Sequence, residues 1–88
     1  MPIISQFYGI IIKMYFKEGE RHHSEHIHVV YSEYEAVYSL NGKILKGNLP
    51  LKQMKMVEAW IAIHEIELKA LWREATKSGQ YFKIEPLK

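Results

Sequence analysis

With 88 residues, a formal net charge of +2 and no cysteine, the chain suits one small domain over residues 1–88, without disulfide or thiolate-metal staples. The charge is too small to argue for nucleic acid by itself. Every acidic residue is Glu, which weakens any mechanism that needs Asp, an EF-hand-type calcium loop included.

The opening residues, Met1 to Ser5, lack the basic flank and small-residue cleavage site of a signal peptide. Residues 7–16 alternate as a half-buried strand. Tyr8, Ile10, Ile12, Met14 and Phe16 form its apolar face, and Phe7, Gly9, Ile11, Lys13 and Tyr15 its mixed face. This longest apolar stretch carries Lys13 and is far shorter than the roughly 20 residues of a membrane span. Small secreted domains commonly need disulfides, so a cytoplasmic location with no membrane partner is expected.

Residues 17–25 are polar and read as a loop. A second strand runs from about His26 to Tyr31 and a third from Tyr34 to Leu40, joined across Ser32-Glu33. Asn41-Gly42 is a strong hairpin signal, because a type I′ turn needs positive φ at both central residues. Lys43 to Lys46 then forms a short fourth strand. From Leu49 the period changes. Asn48 reads as an N-cap and Pro50 as part of the first helical turn. Met54, Val57, Ile61, His64, Leu68, Leu71 and Ala75 make an apolar helical stripe, widened by Met56, Trp60 and Ile63. Ser78-Gly79 reads as a stop. A run of about 28 residues is long for a small domain, so a break is expected near His64 to Ile66. The tail, Tyr81 to Leu87, is expected to dock as a short edge strand. The fold class is α+β: an antiparallel sheet of three to four strands packed on one long or two consecutive C-terminal helices.

Four histidines fall within seven residues: His22, His23, His26 and His28. On a strand, His26 and His28 point the same way. If Tyr31 pairs with Tyr34, then His28 faces Val37. Ile27, Val29, Tyr31, Tyr34, Ala36 and Tyr38 gather on the core side, and His26, His28, Glu35 and Ser39 on the other. Glu35 becomes a diagonal neighbour of His28, placed to raise its pKa and fix its tautomer. Three readings follow. The histidines are polar residues on a solvated sheet face; or His26, His28 and Glu35 are acid–base catalytic residues in a reaction such as RNA cleavage, with no cofactor; or they bind a divalent metal, His26 and His28 joined by His23 or another of His22, Glu25 and Glu35.

His64 within the stripe reads as a hydrogen-bonded core histidine, and His64-Glu65 is not a zinc-protease motif, since no second histidine stands four residues on. Lys43, Lys46, Lys52 and Lys55 read first as solvated lysines and second as phosphate contacts.

Several ordered segments now resemble one family. They are Pro2-Ile3-Ile4-Ser5-Gln6-Phe7-Tyr8-Gly9-Ile10, Met14-Tyr15-Phe16, His26-Ile27-His28-Val29 and Glu33-Tyr34-Glu35-Ala36-Val37. With them go Gly47-Asn48-Leu49-Pro50, the set Trp60, His64, Glu67-Leu68 and Trp72, and Lys83-Ile84-Glu85-Pro86-Leu87. Together they resemble small bacterial proteins of domain-of-unknown-function family 4160, over nearly the whole chain. The family's usual Pro-Pro before the His-X-His step is Ser24-Glu25 here. The matched positions are His26, His28, Glu35 and His64. The resemblance implies a toxin-like component of a toxin–antitoxin-type pair, with a small protein partner. The alternative is a non-enzymatic protein-, RNA- or metal-binding module, or a homo-oligomer, with Phe7, Tyr15, Val37 and Ile44 as a partner surface.

Overall fold

The computed structural model describes residues 2–14 and 25–88. Its elements are β1 (Ile3–Phe7), β2 (Ile10–Lys13), β3 (His26–Tyr31), β4 (Tyr34–Ser39), β5 (Ile44–Gly47), α1 (Leu51–Ile63) and α2 (Glu65–Ser78). The strands form one antiparallel sheet whose spatial order is the chain order. This is the expected α+β fold, with five strands where three to four were read.

The added strand is β1, and residues 7–16 are not one strand: Phe7 ends β1 and Ile10–Lys13 is β2. Tyr8 and Gly9 form a tight turn between β1 and β2, with φ of 51° and 81°. Both values are positive, as a type I′ turn requires. Tyr8 is therefore a turn residue, 61% exposed, while Ile10, Ile12 and Met14 keep their core places. Tyr15 and Phe16, with His22, His23 and most of the expected polar loop, lie outside the described residues.

The β3–β4 hairpin has the predicted register, Tyr31 opposite Tyr34 and His28 opposite Val37. Ser32 supplies positive φ, 54°, at the first turn position. The next hairpin differs from a two-residue Asn-Gly turn. Gly42 N–H donates to the Ser39 carbonyl, and Ser39 N–H donates to that of Lys43. Gly42 alone takes positive φ, so the loop is the longer type that ends in a left-handed glycine.

One sheet face carries Ile10, Ile12, Ile27, Val29, Ala36 and Tyr38 into a core shared with Val57, Trp60, Ile61, Leu68 and Leu71 of the helices. Phe7 and Ile44 belong to this core side, Phe7 with its ring 5.7 Å from that of Trp60. They do not form the partner surface expected of them.

Pro50 occupies the N-cap position of α1, with no side-chain cap bond. Asn48 is not the cap; its N–H donates to the Glu35 carbonyl at 3.1 Å. The long helical run breaks at His64, where φ −111° and ψ 22° leave helical geometry. A straight helix of 28 residues would be about 42 Å long, more than the 34 Å greatest extent of the molecule. The break lets both stripes reach the sheet. Gly79, at φ 76°, closes α2 as a left-handed C-cap.

The tail then runs back along β1. Ile84 N–H donates to the Ile4 carbonyl at 2.8 Å, and Trp60 Nε1–H donates to the Glu85 carbonyl at 2.8 Å. It docks at the expected edge, held by one backbone bond to β1, without becoming a regular strand. Among the described residues, no helix is long and apolar enough to cross a membrane.

Candidate functional site

The strand registers arrange the outer sheet face in transverse rows. The central row crosses all five strands: Ile3 opposite Lys13, Lys13 opposite His28, His28 opposite Val37, and Val37 opposite Lys46. On one side lies the row Gln6, Ile11, Val30 and Glu35. On the other, His26 stands opposite Ser39. Adjacent strands lie about 4.8 Å apart, so each row member is within side-chain reach of the next.

A groove of about 430 Å³ follows this face. Lys13, His28, Glu35, Val37, Lys46 and Gly47 line it, so four consecutive strands contribute. Glu35 is the diagonal neighbour of His28 that the hairpin register requires, and both border the groove. Val37 also remains on this face, half-buried.

His26 and His28 lie together, their ring centroids 5.1 Å apart and the rings edge to face. His26 does not line the groove as His28 does. It also neighbours Trp72 of α2, 5.2 Å away between centroids. The ring thus stands between a helix of the core and the groove histidine. Trp72 is 7% exposed, so this packing gives His26 a rigid support.

Burial holds the His28 imidazole below its ordinary pKa, and the neighbouring His26 ring adds to the lowering. Glu35 acts in the expected direction, raising it, but is outweighed; Lys13 lowers it further. His28 is therefore predominantly neutral near pH 7, the state in which an imidazole accepts a proton.

Lys13 and Lys46 are the members that sequence reasoning missed as a pair. Sequence spacing groups Lys46 with Lys43, Lys52 and Lys55, and sets Lys13 on a separate strand. The signal lay in the alternation of residues 10–13, which points Lys13 away from the core with Ile11. The pairing of that strand with β3 spans a long connection and has no local marker.

His64 is not part of the groove. Its Nδ1 shares a hydrogen bond with the Glu67 carboxylate at 2.6 Å, and its ring lies 5.5 Å from that of Trp60. The histidine is hydrogen-bonded as expected, but it is half-buried at the helix break and is not a member of the core. No group of three His or Glu side chains among the described residues could hold a metal ion. The His26, His28 and His23 set falls partly outside those residues.

No curated protein and no solved structure matches the chain. The family model described as Domain of unknown function (DUF4160) matches residues 9–73, a span that holds the central row from Lys13 to Lys46 and the helix core residues from Val57 to Trp72. The chain belongs to the DUF4160 family.

Proposed function

We propose that the protein acts on RNA at the outer sheet face, as the toxin-like member of a two-protein module. The observation that carries this reading is the convergence of Lys13, His28, Glu35 and Lys46 on one groove beside His26. Neutral His28 takes the proton from a ribose 2′-hydroxyl, and the 2′-oxygen attacks the adjacent phosphorus. The bond from phosphorus to the 5′-oxygen breaks, and that oxygen takes a proton from the His26 ring beside His28. The products are a 2′,3′-cyclic phosphate and a free 5′-hydroxyl. Lys13 offsets charge on the phosphoryl oxygens, and Glu35 orients His28. Incubation with single-stranded RNA should give cyclic-phosphate ends, and His28→Ala should lower the rate by at least about 100-fold. Expression in bacteria should slow growth, with relief by co-expression of the small protein partner or by His26→Ala with His28→Ala. Intact RNA and unaffected growth would remove the reading.

A second reading, a non-enzymatic binding module, is favoured by Ile63 and Ile66. They flank the helix break and are 66% and 85% exposed. A partner covering them would co-purify with the native protein, and Ile66→Glu would release it.

A further inference from the structure

We propose that the groove takes a single-stranded stretch of RNA lying across the strands, its phosphates on the row from Lys13 through His28 to Lys46; this rests on the RNA reading above. The row is transverse by register: Lys13 pairs with His28, His28 with Val37, and Val37 with Lys46. Three strand spacings put the Cα atoms of the two lysines about 14 Å apart. That is the span of a short run of nucleotides, with His28 inside it. An RNA running along one strand would meet one lysine; an RNA running across the strands meets both.

Charge and shape favour a single strand over a duplex. Duplex binders that depend on the phosphate backbone commonly make about six to ten phosphate contacts. This row offers two lysines, and the whole chain a net charge of +2. The groove is a bounded hollow of about 430 Å³, a fit for one backbone. Apolar outer-face residues stand beside it, Ile11 and Val30 in the middle of the next row and Val37 within the central one. They offer surface to ribose and to unstacked bases, which a duplex keeps paired inside. Glu35 stands beside Val30 at the far side of that flanking row. Its carboxylate repels phosphate and so confines the backbone to the central row.

The test is binding by fluorescence anisotropy over a series of salt concentrations, using a labelled mixed-sequence RNA oligonucleotide, single-stranded or annealed to its complement. His28→Ala protein is used so that cleavage does not intervene. The single strand should bind at least about tenfold more tightly than the duplex. Lys13→Met and Lys46→Met keep the aliphatic stems, and each should flatten the slope of log K against log salt by about 0.7. Lys55→Met, on the exposed side of α1, should leave the slope unchanged. Equal or tighter duplex binding, or unchanged slopes in both row variants, overturns the proposal. RNA cleavage by the wild-type protein together with unchanged slopes would sink the transverse path and leave the catalytic reading standing. Altered slopes without cleavage would do the reverse.

Discussion

His28 sits between a lysine and a valine across the sheet, beside a second imidazole and diagonal to a carboxylate. Burial and the His26 ring lower its pKa from the ordinary 6.5, with Lys13 adding to this and Glu35 opposing. Each cause can be isolated by NMR titration. Glu35→Gln should move the His28 midpoint further down, and Lys13→Met should move it up. The same shift links stability to pH. As pH falls through about 6.5, the unfolded chain takes up a proton that folded His28 resists. The unfolded state then binds more protons, so stability rises with pH between the folded midpoint and 6.5, and acidification through that interval destabilises. Urea midpoints measured across this range should drop on the acid side in the wild type and drop less in His28→Gln. A midpoint curve identical in the two proteins would contradict the shift.

At the level of elements, β5 is held against β4 by a close backbone approach at Gly47. Its φ is 78°, and an added Cβ would lie 2.2 Å from the Glu35 carbonyl oxygen. The next N–H, of Asn48, donates to that same oxygen. Gly47→Ala therefore combines left-handed strain with a backbone clash and should cost at least about 2 kcal/mol in chemical denaturation. Gly42 gives the contrast: its φ is also positive, but a Cβ there meets nothing within 4 Å, so Gly42→Ala should cost about 1 kcal/mol. The β3–β4 register was legible because two alternating segments bracket a two-residue turn, and period 2 leaves only one pairing that gathers the apolar set. The same logic placed His26, His28 and Glu35 on one face. The Tyr8-Gly9 turn was not legible, since apolar alternation runs straight through it and a tyrosine at positive φ carries no local mark. Missing that turn hid β1 as a strand and put Phe7 on the wrong face. The break at His64 was half legible: the length of the run pointed to one, but one long helix stayed equally open because no glycine or proline marks the site. The central row was not legible, because its β2–β3 pairing is non-local.

On the scale of the whole molecule, the tail ties the last residues to the first strand. Ile84 is 3% exposed and bonds through its N–H to Ile4, while the next carbonyl, that of Glu85, accepts from Trp60 in the centre of the core. A chain of this length has a total stability of about 4–13 kcal/mol. Truncating a buried isoleucine costs about 2–5 kcal/mol, so Ile84→Ala should remove a large share and lower the melting temperature by ten degrees or more. Glu85→Ala keeps the backbone carbonyl and exposes no core surface, so its stability should stay within about 0.5 kcal/mol of wild type. Removing residues 80–88 goes further. It strips the apolar cover, leaves the Trp60 indole N–H without its acceptor, and bares the edge of β1. An uncovered edge strand pairs with other chains, so the truncated protein should also self-associate in size-exclusion chromatography, increasingly with concentration. Ile84→Ala keeps the tail in place and should remain in the wild-type elution position despite its lower stability. Association by Ile84→Ala equal to that of the truncation would point to general unfolding rather than to the freed edge.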